Sequence, residues 1–248
     1  MQRFKLTISY DGTNYAGWQQ QPVLRTVEGT IQKAFAAVFS KDMRFLGASR
    51  TDAGVHAFGQ VAMLDTDLDV TSEKLAWALN NALPNDIMIT DIKKVDDTFH
   101  THHNVVAKTY HYHFFTDRPS PFIHRYGWYF YKKVNFDKLQ RALDCFVGTH
   151  DFRSFATDEH ERETIRTIDA ISIDYCEQFG AHRIVVTGEK FLRHMIRRMV
   201  GTALEVSSRD SLSTDTIIEK LNNKNPANAL INAPAQGLFL YDVRYRED

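Results

Sequence analysis

One acidic residue stands in a setting that suits chemistry. Asp52 directly follows Arg50 and Thr51 and precedes small residues in the segment 47–57 (GASRTDAGVHA). Short apolar runs on both sides predict two strands, which would place the carboxylate on a tight loop that a rigid scaffold presents to a ligand. An ionised carboxylate there could act as a nucleophile or remove a proton. The alternative is an Asx turn beside a solvated arginine.

A second group of charged side chains lies late in the chain, where basic residues are concentrated over 190–198. Arg193 and Arg197 fall off the apolar stripe of a predicted amphipathic helix, 191–206. A net charge of −1 argues against an indiscriminate nucleic-acid binder. Any contact with RNA would therefore need a local basic patch of this kind, although a solvated polar helix face is the simpler alternative.

The predicted strand 107–115 carries Lys108 and Tyr110 on one face. Lys108 could contact a phosphate or lie along the surface, and Tyr110 could be a core aromatic or stack on a base. Five of the eleven histidines fall between His100 and His113, which leaves a histidine-liganded metallohydrolase as an alternative. No Cys, Asp or Glu is interleaved among them, so we predict no metal site.

The composition is that of an ordinary globular protein, with 43% hydrophobic and 25% charged residues. No apolar run approaches the roughly 20 residues that span a bilayer, and the first residues alternate like a strand instead of forming a signal peptide. These features predict a protein of the cytoplasm without a membrane partner. Cys145 and Cys176 are predicted to be small buried residues in a reducing compartment.

The hydrophobic pattern predicts two α+β domains, 1–105 and 106–248. The first has the order β-α-β-β-α-β of a split βαβ, ferredoxin-like domain and carries the Asp52 loop. The second carries Tyr110, a helix that Gly148 would cap, the Arg-rich helix and a last strand over 238–245. We therefore expect two ferredoxin-like or RRM-like domains, with antiparallel sheets packed side by side and an active-site cleft between them.

Five segments resemble the tRNA pseudouridine synthase A family, in the same order and over nearly the whole chain. They are 10–19 (YDGTNYAGWQ), 47–57, 108–112 (KTYHY), 148–152 (GTHDF) and 191–201 (FLRHMIRRMVG). The resemblance implies a homodimeric isomerase of tRNA processing that converts uridines 38, 39 and 40 of the anticodon stem-loop to pseudouridine. It also implies that neither a cofactor nor a metal takes part.

The resemblance also implies roles for individual residues. Asp52 would be the nucleophile and Arg197 its ion partner, while Tyr110 would stack on the target uracil. Arg50 would fill the gap that the flipped nucleotide leaves in the stem. The Arg-rich helix 191–206 and the loop of Trp18 would form walls of the cleft. Further substrate contacts are expected at Thr51, Lys108 and Arg193.

One departure from the family pattern lies at His102, where members usually have arginine in a Phe-His-Ala-Arg motif. If that position contacts tRNA, His102 supplies a weaker, pH-dependent substitute. A non-catalytic RNA-binding module or tRNA chaperone is the alternative from another class. Such a protein would not need Asp52, Tyr110 and Arg197, and all three are present.

Overall fold

The protein is described by a computed structural model over residues 1–157, 163–225 and 230–246. The sequence has an acidic segment, 158–161 (DEHE), which lies outside these ranges. Contacts divide the chain into a first unit, Met1–Val106 with Phe239–Asp248, and a second unit, Ala107–Leu238. The last strand thus groups with the first unit. The predicted domains, 1–105 and 106–248, stay a prediction.

The first unit has the predicted order β-α-β-β-α-β, and the last strand of the chain is added to it. Its elements are β1 (Gln2–Tyr10), α1 (Val27–Phe39), β2 (Phe45–Gly47), β3 (His56–Thr66), α2 (Ser72–Ala82), β4 (Ile87–Val95) and β10 (Leu238–Tyr245). β1 lies between β4 and β3 and pairs antiparallel with both. β2 pairs antiparallel with the far half of β3, and β10 runs parallel to its first residues. This order confirms the split βαβ arrangement.

Local sequence accounts for these elements. Every second side chain of β1 is buried, as the alternation of Phe4, Leu6 and Ile8 with polar residues requires. Thr26 caps α1 by accepting a hydrogen bond from the Gly29 amide, and Thr71 caps α2 in the same way. The helices bury apolar faces, so that the core of this unit lies against one face of its sheet.

The second unit is also α+β. Its elements are β5 (Val105–Phe115), β6 (Trp128–Tyr129), α3 (Phe136–Asp144), β7 (Gly148–Asp151), β8 (Ile165–Cys176), β9 (Ala181–Gly188), α4 (Met195–Ser208) and α5 (Thr214–Asn223). Its strands follow the antiparallel order β5-β9-β8-β7, and the short β6 runs parallel to β5. The α+β fold class is confirmed in both units.

Several local predictions were wrong. The Arg-rich helix begins at Met195 instead of 191, because His194 takes a left-handed φ of 61° ahead of it. Gly148 opens β7, and α3 already ends with Cys145 as its C-cap. Cys145 and Cys176 are free but only half-buried. Across the described ranges, no helix has both the length and the apolar character needed to cross a bilayer.

Candidate functional site

The Asp52 loop joins β2 to β3 in the first unit. Within it Arg50 and Ala53 are exposed, Thr51 is buried, and Asp52 between them is half-buried. The loop turns sharply after the carboxylate, since the Val55 amide donates to the Asp52 carbonyl oxygen at 3.1 Å. The side chain that sequence singled out therefore stands at the border of core and solvent, on a compact turn.

Two contacts hold Thr51, the residue directly before the carboxylate. Its carbonyl oxygen accepts a hydrogen bond from the Trp18 amide at 3.1 Å, and its hydroxyl lies 2.7 Å from the Tyr10 hydroxyl. The cleft wall predicted for the loop of Trp18 stays a prediction. The Trp18 side chain itself is only 1% exposed and its indole packs on Gly47, so it does not lie on the surface. It belongs instead to the support of the loop.

Because residue 17 is glycine, the backbone there can lie directly against the backbone of Thr51 and Asp52. Its φ is +98°, and a Cβ placed on it would lie 2.6 Å from the Thr51 carbonyl oxygen and 3.2 Å from the Asp52 carbonyl carbon. Only glycine adopts such a φ without strain and leaves room for this approach. The Gly54 amide adds a further tie by donating to the Tyr15 carbonyl oxygen at 3.2 Å.

The far side of the loop is held by the buried His56. Its Nδ1 lies 3.1 Å from both Asp11 Oδ1 and the Gly12 amide nitrogen, and its ring stacks on Phe239 of β10 at 4.6 Å. A neutral ring can accept from Gly12, and a cationic ring can donate to Asp11. Burial alone would raise the pKa of Asp11, but hydrogen bonds with His56 and Thr13 outweigh it and lower this pKa far below its ordinary value.

A buried amide holds the entrance to the loop. Gln60 is fully buried; its Nε2 donates to the Ser49 carbonyl oxygen at 2.7 Å, and its Oε1 accepts from the Ser49 amide at 3.3 Å. The backbone is thus fixed at Ser49, Thr51 and His56, on both sides of Asp52. Such a loop holds one carboxylate in a defined place with little freedom to move.

Lys108 and Tyr110 occupy β5 in the second unit. Tyr110 is 6% exposed and meets the ring of Phe191 edge to face, with centroids 5.1 Å apart. Burial, with a smaller effect from Lys190, lowers the pKa of Lys108 to about 8. Lys108 therefore loses part of its positive charge within the ordinary working range of an enzyme.

Arg197 lies in the first turns of α4 and is tied to the segment that precedes β10. Its Nε donates to the Ala233 carbonyl oxygen at 2.7 Å, and the Ala233 amide donates to the Arg197 carbonyl oxygen at 3.1 Å. Tyr112 is also fixed here, with its hydroxyl donating to the Pro234 carbonyl oxygen. Burial raises the pKa of Tyr112, and the charge of Arg197 opposes that rise. The predicted ion pair of Arg197 with Asp52 stays a prediction.

Arg193 lies in the turn before α4 and is exposed. The backbone around it is anchored, because the Thr157 amide donates to the Arg193 carbonyl oxygen at 3.3 Å and the Thr157 hydroxyl lies 3.0 Å from His194 Nδ1. Arg198 is tied as well, with Nη1 donating to the Ala156 carbonyl oxygen. This turn therefore presents one exposed cation on a fixed backbone.

The five histidines between His100 and His113 form two groups. The rings of His100 and His103 stack with centroids 4.1 Å apart, and His102 lies on the same turn. His111 and His113 are buried, and burial lowers the pKa of His111 to about 4. Among the described residues, no group of three or more His, Cys, Asp or Glu is placed to hold a metal ion.

Comparison with known proteins gives a consistent result. A family profile described as tRNA pseudouridine synthase matches residues 6–104 and 142–246. The tRNA pseudouridine synthase A of Thermodesulfovibrio yellowstonii is 36% identical over 99% of this chain and 100% of its own length. Protochlamydia amoebophila tRNA pseudouridine synthase A 1 is 38% identical, over 100% of this chain and 98% of its own length. The Maridesulfovibrio salexigens tRNA pseudouridine synthase A is 39% identical, over 100% and 92%.

Similarity to solved structures is weaker. A chain in the crystal structure of a Cbf5-Nop10-Gar1 complex is 14% identical with a TM-score of 0.34, and the match covers 81% of this chain and 54% of that one. The family profile covers more than half of the chain, and the relatives extend over nearly all of it. This chain therefore belongs to the tRNA pseudouridine synthase family of RNA-uridine isomerases.

Proposed function

We propose that this protein converts uridines at positions 38, 39 and 40 of the tRNA anticodon stem-loop to pseudouridine, with Asp52 as the nucleophile. The observation that carries the proposal is the Asp52 loop itself. It presents a half-buried carboxylate between the buried Thr51 and the exposed Ala53, on a backbone held at both ends. A nucleophile held in this way needs little reorganisation when substrate arrives.

The reaction is an internal rearrangement. The bond between N1 of uracil and C1′ of ribose breaks, the base turns, C5 joins C1′, the proton on C5 is released, and N1 takes up a proton. A carboxylate can support this by adding to C1′ or to C6, or by removing a sugar proton. No oxidant, group donor or net hydrolysis is required, and we propose that the enzyme uses neither cofactor nor metal.

The other predicted site residues have properties that fit contacts with RNA. Arg50 is exposed two residues before Asp52, where it can occupy the stack that a flipped uridine vacates. Tyr110 offers an aromatic face and a hydroxyl for the base, and Arg197 a cation for Asp52. Lys108 and the exposed Arg193 supply positive charge for phosphates. We further propose that the protein is a cytoplasmic homodimer.

The test compares Asp52→Asn with Asp69→Asn, a control at an exposed aspartate of the same unit. The assay is tritium release from tRNA transcripts labelled at C5 of uridine, together with filter binding of the tRNA. We expect Asp52→Asn to abolish release and keep binding, because the amide preserves shape but is not nucleophilic. Asp69→Asn should behave as wild type. Release by Asp52→Asn within about tenfold of wild type would exclude Asp52 as the nucleophile, since an essential nucleophile contributes far more.

The same assay separates the alternatives. A non-catalytic RNA-binding module or chaperone would bind tRNA without releasing tritium from any position. Transcripts with uridine retained only at 38, 39 or 40 would show which sites react. Full activity after dialysis against EDTA is expected, and activity that disappears and returns with added zinc would overturn the metal-free reaction.

A further inference from the structure

The hydroxyl groups of Tyr10 and Thr51 meet inside the first unit. Tyr10 is the last residue of β1 and is 4% exposed, while Thr51 directly precedes Asp52 and is 8% exposed. Their oxygens are 2.7 Å apart, and either hydroxyl can donate. Buried hydroxyl groups need hydrogen-bond partners, so this contact constrains both side chains.

Tyr10 and Thr51 both also contact Trp18, so that each of the three residues contacts the other two. The Trp18 amide donates to the Thr51 carbonyl oxygen at 3.1 Å, and the rings of Trp18 and Tyr10 lie 6.0 Å apart at an angle of 34°. Thr51 is therefore held at both its side chain and its carbonyl group. Its hydroxyl faces the core of the first unit, which is an unfavourable position for direct contact with RNA.

A fixed Thr51 restricts Asp52 directly. The peptide group that joins the two residues is planar, so an anchored Thr51 carbonyl also sets the Asp52 amide. On the other side, the Asp52 carbonyl oxygen accepts from the Val55 amide at 3.1 Å. With the backbone fixed on both sides, the direction of the carboxylate depends on few remaining side-chain rotamers.

We infer that Tyr10 and Thr51 are positioning residues, whose hydrogen bond aims the Asp52 carboxylate at its substrate. The inference rests on the proposed role of Asp52 as nucleophile. It assigns Thr51 to alignment of the nucleophile instead of the substrate contact expected from sequence. It also gives Tyr10 a role in the reaction, although its side chain is buried.

The test uses near-isosteric variants in the full-length protein. Tyr10→Phe and Thr51→Val each remove one hydroxyl, the double variant removes both, and Thr51→Ser keeps the hydroxyl. Tyr245→Phe is the matched control, because it removes another tyrosine hydroxyl of the first unit, one that donates to the Thr101 carbonyl oxygen at 3.0 Å. Each variant is measured for its single-turnover rate of tritium release, its Kd for tRNA and its melting temperature.

If the pair aligns Asp52, Tyr10→Phe and Thr51→Val should each lower the single-turnover rate by about tenfold to a hundredfold, the usual scale for misplacement of a reacting group. The Kd for tRNA should not change. The double variant should be no slower than the slower single variant, because both substitutions break the same contact. Thr51→Ser should keep most of the rate, and Tyr245→Phe all of it.

Three outcomes would overturn the inference. They are wild-type rates in both single variants, losses that multiply in the double variant, and an equal loss of rate in Tyr245→Phe, which would point to general destabilisation. Should Tyr10→Phe fail to fold, comparison of Thr51→Val with Thr51→Ser still decides the question. Asp52→Asn is assayed beside them. Activity of that variant would refute the nucleophile itself, whereas an inactive Asp52→Asn with fully active Tyr10 and Thr51 variants would refute alignment alone.

Discussion

Replacing Gly17 with alanine should disable the enzyme without disturbing its fold. At Gly17, with φ +98°, the added Cβ would lie 2.6 Å from the Thr51 carbonyl oxygen. Ordinary van der Waals contact begins at 3.4 Å, so the backbone segments at Gly17 and Thr51 must separate by about 0.8 Å. The hydrogen bond from Trp18 to Thr51 breaks or lengthens, and Asp52 moves with Thr51.

The expected size follows from these distances. Displacement by about 1 Å of a reacting group costs roughly a hundredfold in rate, so we expect about that loss in single-turnover tritium release. The unfavourable φ should in addition lower the free energy of unfolding by about 1 to 3 kcal/mol. At about 2 to 4 °C per kcal/mol, the melting temperature should fall by several degrees.

Gly148→Ala separates the two effects. Gly148 has nearly the same φ, +100°, but the nearest atom to its added Cβ is His150 Nε2 at 3.7 Å. Both variants should therefore lose stability from the unfavourable φ, and Gly17→Ala should lose more because of its close contact with Thr51. Only Gly17→Ala should lose activity, with its affinity for tRNA unchanged. If Gly17→Ala keeps a rate comparable to that of Gly148→Ala, close packing under the Asp52 loop does not control the reaction.

Three further predictions concern the second unit. Arg197→Met should lower activity at least tenfold and leave α4 folded by circular dichroism, because the proposed ion pair with Asp52 is lost while the apolar stripe remains. Normal activity with an unchanged pH–rate profile would mark Arg197 as an ordinary cation. Affinity for tRNA should weaken as pH rises through about 8, where Lys108 loses its proton, and Lys108→Arg should remove this dependence, as titration of binding would show. Stability should fall by up to about 3 kcal/mol as pH drops from 6.5 to 4, because the unfolded chain binds a proton that His111, with its pKa lowered to about 4, does not. Denaturant unfolding of His111→Gln should show a flatter dependence on pH over that range.

The strands were the part of the fold most visible in the sequence. The predicted strand 238–245 coincides with β10, and the predicted strand 107–115 lies within β5, because alternating or continuously apolar runs favour strands. α5 was not predicted, since only Ile217 and Leu221 are buried in an otherwise polar segment. The start of α4 was misplaced because the apolar spacing continues through the left-handed His194 that interrupts the helix.

The site was visible in sequence only where its residues are adjacent. The segment 47–57 placed Arg50, Thr51 and Asp52 on one loop, which the structure confirms. The support of that loop comes from residues far away in sequence, as the hydrogen bond between Tyr10 and Thr51, 41 residues apart, illustrates. The burial of Trp18 likewise follows from contacts with Gly47 and Thr51, which no local pattern contains. Only the folded chain brings these groups together.

The place of β10 has a consequence for synthesis of the protein. It lies beside the first residues of β3, next to the Asp52 loop, and Phe239 covers His56 there. A ribosome makes the Asp52 loop before the second unit and makes β10 only after it. The first unit therefore cannot be completed until the second unit has been made. A product truncated before residue 239 would leave the start of β3 without this neighbour. A chain that stops before β10 would therefore lack part of the support of the Asp52 loop.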